Sequence, residues 1–411
     1  MMATRMLDLA THDEMQIQVE QPKFLTLTQD IAALRHALSQ SPTSVLLRRR
    51  LGICLLINDE PDAAIALLAP LADETADGRV LAVLASAHLS RNTADADQAA
   101  IDCAERAAAI AHDPYDRADA LATLGKAQLR IGLEQAAIAS LEAALVAAPE
   151  NKDAYKRLVA FYMSKDQPEA VLALADAFFG AAQGHSRLQV SRILALARLG
   201  RVAEARRAGG LECFLYQAVL PAPPGWDDIA AFNRDLVAEL DRHPSIRFNR
   251  YGTASRETWR IDNPLTARSD VLMALQPMIL EAVRHYVART AGTDHPWIAS
   301  RPASATLHSW CVMTTVAGYE EWHVHQFGWL SGVYYASVPD AVRNGADMGG
   351  CLAFGLPAEQ VGAENAVAYG ETLVRPEGGM LMLFPSHTFH RTFPHGGDER
   401  RVCIAFDIKP N

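Results

Sequence analysis

Glu321-Trp322-His323-Val324-His325 is the stretch on which the reading of this 411-residue chain turns. Taken as a strand, it places His323 and His325 on one face and Trp322 and Val324 on the other, because successive strand side chains alternate. Two imidazoles side by side are an unusual choice for a buried face, since each needs a partner or loses its charged form. A shared metal ion satisfies both; surface histidines on an edge strand are the plainer alternative. Sixty-five residues beyond His325 (390 − 325) stands His390, in Phe384-Pro385-Ser386-His387-Thr388-Phe389-His390 with Phe393-Pro394 after it. An apolar strand closed by a tight turn would hold that ligand rigidly. His387, at the expected strand end, and His395, beside Gly396-Gly397-Asp398, compete for the same role. Arg401 then opens Arg401-Val402-Cys403-Ile404-Ala405-Phe406-Asp407-Ile408, where odd positions are polar or small and even positions large and apolar. Arg401, Cys403 and Ala405 therefore share a face with room for a ligand, and the planar fork of Arg401 suits a carboxylate. An ordinary surface ion pair is the commoner fate of an arginine.

Outward from this stretch the chain divides by period. From about residue 303 the apolar period is two, with strands expected at 305–315, 321–325, 332–337, 350–354, 380–384 and 402–408, separated by Gly, Pro and Asp/Asn clusters. Amphipathic helices are expected over 227–242 and 269–289. Many short strands behind a few helices predict a sandwich or jelly roll with flanking helices. From about 25 to 210 the period is helical. Its clearest unit is Leu124-Gly125-Lys126-Ala127-Gln128, then Gly132, Ala137, Leu141, Ala144 and Pro149, which puts small residues where two antiparallel helices touch and a proline where the second stops. Weaker copies start near Leu51-Gly52 and Val159, and 187–208 fits another pair around Gly200. The pattern resembles tetratricopeptide repeats, most clearly over 118–151; an irregular helical bundle is the alternative. The expected organisation is thus an α + β multidomain chain: an N-terminal segment 1–24, an α-solenoid of repeat-like helix pairs over 25–210, and a β-rich domain with flanking helices over 211–411. Such a solenoid commonly offers its concave face to a peptide.

A net charge of −10 without a basic run argues against nucleic-acid binding. Six scattered cysteines with no C-x-x-C point to free thiols in a reducing compartment. The first eighteen residues are interrupted by Asp8, His12, Asp13 and Glu14, unlike a signal peptide, and no stretch is apolar enough to cross a bilayer. A cytoplasmic protein is expected.

The blocks His323-Val324-His325, Ser331-Gly332-Val333-Tyr334-Tyr335, Phe384-Pro385-Ser386 with His390, and Arg401 with Phe406 resemble, in that order, a bacterial and phage group of 2-oxoglutarate- and Fe(II)-dependent oxygenases. The resemblance covers roughly 211–411. It implies a double-stranded β-helix (jelly-roll, cupin-like) core, and Fe(II) held by His323, His325 and His390. It also implies 2-oxoglutarate as co-substrate with its far carboxylate on Arg401, aided by Tyr334 or Tyr335, and O2 as the oxidant. A C–H bond of a protein, a peptide or a small molecule delivered by the helical region would be hydroxylated. The sequence departs from the wider superfamily twice. His325 stands where two histidines usually have a carboxylate partner, leaving the site one unit more positive unless Glu320 or Glu321 supplies the anion. Cys403, a weak donor, stands where relatives often carry a small hydroxyl residue. Phe327 and Trp329, just after the H-x-H, are read as core residues, with a place at the substrate mouth as the alternative. Two rival readings remain: a three-histidine cupin-like dioxygenase that needs no 2-oxoglutarate, and an interaction protein whose repeats work beside a degenerate oxygenase domain. The helical region also allows a homodimer.

Overall fold

The computed structural model describes residues 15–21, 25, 27–72, 77–178, 186–248 and 254–411. Most of the N-terminal segment 1–24 lies outside these. The chain forms two compact units, Lys23–Val171, and Met1–Pro22 with Leu172–Asn411. The sequence boundary at 210 falls inside the second.

In the first unit, helices follow one another at short turns: Leu27–Gln40, Val45–Ile57, Pro61–Ala72, Gly78–Ser90, Ala94–Ile110, Pro114–Arg130, Glu134–Ala147 and Lys152–Ser164. Local chemistry sets their ends. The Asp113 carboxylate accepts from the backbone N–H of Tyr115 and Asp116, with Pro114 in the first turn, and Asn151 accepts from Ala154 N–H. Gly125 shows why small residues recur. A Cβ there would lie 2.5 Å from Leu141 Cγ and 3.1 Å from the Ala137 carbonyl, so the helices 114–130 and 134–147 touch backbone to side chain.

The second unit is built on sheets. Its strands are β1 Gln16–Val19, β2 Tyr216–Val219, β3 Arg247–Phe248, β4 Ser255–Asp262, β5 Ser304–Glu320, β6 Leu330–Ser337, β7 Leu352–Phe354, β8 Thr372–Val374, β9 Met380–Pro385, β10 His390–Thr392 and β11 Arg401–Pro410. Eight form one sheet in the order β2-β9-β6-β11-β5-β4-β3, antiparallel except for β1, which runs parallel to the start of β5. A second sheet has the order β10-β7-β8. One face of the large sheet packs on helices Ile229–Asp241 and Asp270–Thr290 through Val402, Ile404, Phe406, Ile408, Leu236, Leu240, Leu275 and Ile279. The other face meets the small sheet through Trp310, Val312, Val333, Tyr335, Phe384 and Cys403, against Leu352 and Phe354. The alternation of β11 divides as its sequence requires, even positions toward the helices and odd positions toward the space between the sheets. Gly332 on β6 permits this packing, because a Cβ there would lie 2.3 Å from Phe406 Cζ.

Three sequence expectations change. Residues 321–325 are not a strand: β5 ends at Glu320, and the H-x-H segment leaves the sheet to lie along the 386–390 turn. His323 N–H donates to His390 O, and His325 N–H to Ser386 O, each at 3.0 Å. β4 escaped the period-two reading because a bulge between Arg256 and Thr258 shifts its alternation, and its outer face is charged. Helices Ser186–Arg198 and Val202–Gly209, which the sequence grouped with the repeats, belong to the second unit, where they pack against Ala358–Val361 and Ala363–Tyr369. Helices over 229–241 and 270–290 match the expected segments. All six cysteines are free. Among the described residues no helix is long and apolar enough to cross a membrane.

Candidate metal centre

The structure brings His323, His325 and His390 together, each offering one ring nitrogen, with these atoms all within 4.8 Å of one another. The backbone explains how. The 386–390 turn presents two anchor points, Ser386 O and His390 O, and the H-x-H segment bonds one histidine to each.

The far nitrogens settle the tautomers. His323 Nδ1 lies 2.7 Å from the Glu321 carbonyl, and His390 Nδ1 3.0 Å from the Thr388 carbonyl. A carbonyl only accepts, so both Nδ1 atoms carry the proton. His325 Nδ1 donates to Asp407 Oδ1 at 2.6 Å, with Ser331 Oγ at 2.8 Å. In all three rings Nδ1 is engaged, which leaves Nε2 as the atom available to a metal ion. Burial, with the neighbouring His323 and His325, holds His390 well below the ordinary histidine range. Burial also lowers His323. Both shifts favour the neutral ring, the form a ligand needs.

Asp407 was missed in the sequence, although β11 parity places it on the Arg401 face. Its carboxylate is buried, accepts from His325 and from Ser331 Oγ at 2.7 Å, and Ser331 Oγ in turn lies 2.7 Å from Ser386 Oγ. Burial alone would raise its pKa, but His325 and Ser331 more than offset that and keep it ionised.

Arg401 lies in a cavity whose walls include Glu320, His325, Tyr335, His390, Thr392 and Cys403. Arg401 is 2 % exposed. Nη1 donates to Gly350 O at 2.7 Å, Nη2 approaches Thr392 Oγ1 at 3.4 Å, and Nε has no hydrogen-bond partner. A buried cation with only neutral hydrogen-bond partners is costly, and Glu320 is a carboxylate on the same cavity wall. Tyr335 and Tyr334 point to opposite faces: Tyr335 lines the cavity, whereas Tyr334 donates to Asn233 Oδ1 at 2.7 Å on the helix side. Cys403 also lines the cavity, its thiol pushed up to about 11 by burial.

The rival histidines lie elsewhere. His387 Nε2 is 3.1 Å from Gly209 O, and burial lowers its pKa to about 4; His395 Nε2 is 3.4 Å from Thr314 O. The two acids before the H-x-H diverge. Glu321 pairs with Arg256 Nη2 at 2.6 Å on the surface. Glu320 turns inward, its Oε1 accepting from Ser255 Oγ at 2.7 Å and its Oε2 lying 3.6 Å from His323 Nε2. Burial would raise Glu320, but His323, Ser255, Arg260 and His325 hold it below the usual carboxylate range. The two aromatics after the H-x-H also part. Phe327 is exposed, while Trp329 is buried and stacked on Trp297 with centroids 4.6 Å apart, each indole N–H donating to the other's carbonyl.

The donor set fits iron(II), since imidazole nitrogens with open positions beside an anion-seeking arginine suit a non-haem iron site. Among known proteins, the model of a 2OG-Fe(II) oxygenase family matches residues 308–407. No curated protein sequence matches the chain. Similar solved structures include a Pseudomonas putida prolyl-4-hydroxylase (16% identity, TM-score 0.34, covering 49% of this chain and 96% of that one). HygX from Streptomyces hygroscopicus, solved with nickel and 2-oxoglutarate bound, is 15% identical with TM-score 0.33, covering 48% and 83%. MamA is 26% identical with TM-score 0.31, covering 38% and 86%. The family match thus falls on the stretch that holds His323, His325, His390 and Arg401.

Proposed function

We propose that the protein is an Fe(II)- and 2-oxoglutarate-dependent dioxygenase that hydroxylates a C–H bond of a polypeptide or a small molecule. The observation that carries this reading is the convergence of three imidazole nitrogens beside a cavity that holds a buried Arg401 with no carboxylate among its hydrogen-bond partners. His323, His325 and His390 would hold the iron. Iron and co-substrate together supply O2 activation coupled to decarboxylation, so that 2-oxoglutarate, O2 and a substrate C–H bond give succinate, CO2 and an alcohol. The chain's own residues bind, orient and exclude water. Arg401 takes the far carboxylate of the co-substrate through Nε and the Nη atoms, and Thr392 fixes the guanidinium plane. Tyr335, not Tyr334, is the tyrosine placed to add a hydroxyl there. Asp407 holds His325 in the Nδ1–H tautomer. Trp310, Leu352 and Phe384 are the apolar walls that keep water from the cavity.

The late-strand position of Arg401, at the head of β11, favours this over a three-histidine dioxygenase without 2-oxoglutarate, and succinate formation separates the two. Recruitment of a polypeptide by the repeat-like helices 27–164 is the accompanying proposal. The test is succinate formation from 2-oxoglutarate with Fe(II) and O2. His390→Ala is expected to abolish it. Arg401→Ala is expected to raise the KM for 2-oxoglutarate at least roughly thirtyfold, equivalent to about 2 kcal/mol, with kcat much less affected. Full succinate turnover by His390→Ala would overturn the assignment.

A further inference from the structure

Three neutral imidazoles leave a divalent ion with its full charge, whereas two imidazoles and a carboxylate would remove one unit. The chain has a carboxylate at hand. Glu320, the last residue of β5, stands beside the cluster rather than on the surface. Its Oε1 is tied to Ser255 on β4, and its backbone N–H donates to Thr392 Oγ1 at 2.9 Å, the same hydroxyl that meets Arg401. That leaves Oε2 directed at His323 Nε2, 3.6 Å away, the nitrogen that the Glu321 carbonyl frees for metal by binding Nδ1. Glu321, the other acid available, is occupied by Arg256. Glu320 also shares its cavity wall with Arg401, so its carboxylate and an incoming dianion compete for the same space.

We propose that Glu320 is a fourth donor of the metal centre, binding the ion through Oε2 while the co-substrate is absent and giving way when 2-oxoglutarate enters. The inference rests on the three-histidine iron reading and adds the charge that reading lacks. It has a reciprocal consequence: a group that strengthens metal binding only without co-substrate must weaken co-substrate binding by the same factor.

Co(II) titration of the metal-free full-length protein under anaerobic conditions tests this, read by visible d–d bands and by chelator competition. Glu320→Gln keeps the acceptor for Ser255 but removes the charge. It is expected to weaken Co(II) binding about tenfold and to change the band pattern. Once 2-oxoglutarate is added, its spectrum should match that of the wild type, and its affinity for 2-oxoglutarate should be about tenfold tighter. Glu320→Asp, with the carboxylate drawn back by one methylene, should lie between the two and serves if the glutamine variant does not fold. An unchanged Co(II) affinity and spectrum in Glu320→Gln, with His390→Ala still losing the ion, would overturn the role of Glu320 alone. Wild-type protein that takes up no Co(II) would overturn both this role and the iron site beneath it.

Discussion

At the residue scale the centre depends on what stands behind the ligands. A carboxylate hydrogen-bonded to a ligating imidazole raises its basicity and fixes its orientation, and loss of such a partner typically costs 10- to 100-fold in metal affinity. Asp407 is placed to do this for His325. Asp407→Asn is therefore expected to weaken Fe(II) binding by roughly 10- to 100-fold, measured by chelator competition, while the fold persists because Asn can still accept from Ser331 and His325. An Asn variant that binds iron as tightly as the wild type would show that His325 needs no charge behind it. His323, His325, His390 and Arg401 could be singled out in the sequence as candidates, because each is the wrong kind of residue for its apolar surroundings. Asp407 was equally legible by parity, six positions after Arg401 on an alternating strand, yet its role emerges only once His325 is seen across the sheet. Tyr334 and Tyr335, by contrast, could not be told apart in the sequence, since only the structure shows Tyr334 turned to Asn233 and Tyr335 to the cavity.

At the element scale the turn from β9 to β10 organises the site. It anchors the H-x-H segment through Ser386 and His390, and it leans on helix 202–209 through His387 and Gly209 O. His387 is buried with a folded pKa of about 4, below its ordinary 6.5, so the unfolded chain takes up a proton between those values that the folded chain refuses. Stability from this source is complete above about pH 6.5 and is lost as pH falls toward 4, by up to about 3 kcal/mol. His387→Gln keeps a donor for Gly209 O but does not titrate. Its unfolding free energy in urea, followed from pH 7.5 to 4.5, is expected to fall less steeply than that of the wild type; parallel curves would exclude His387 as a source of the acid sensitivity. β11, with its clean alternation, and β9, a wholly apolar run, were visible in the sequence. The H-x-H segment misled because its backbone bonds to a turn rather than to a ladder, and β4 because a bulge broke its period.

At the scale of the whole molecule, the helical period over 25–210 corresponds to helices among the described residues, while the compact units divide at Val171. Periodicity reports which face of a helix is apolar, not which apolar surface meets it. Helices 186–198 and 202–209 carry the same Ala-rich pattern as those before them, yet pack on 358–369. The consequence is a prediction about truncation. A chain lacking Lys23–Val171 is expected to fold and to keep succinate formation uncoupled from substrate, while losing oxidation of a polypeptide target. A fragment starting at 211 loses the Gly209 partner of His387 and should melt several degrees lower. Equal target oxidation with and without 23–171 would exclude recruitment by the helical unit.

The most direct measurement is an anaerobic titration of the metal-free protein with Fe(II) and then 2-oxoglutarate, watched for a visible metal-to-ligand charge-transfer band in the wild type, His390→Ala and Arg401→Ala. The account predicts a band that requires both additions, is lost in His390→Ala and needs far more 2-oxoglutarate in Arg401→Ala. Iron binding without any such band would contradict it.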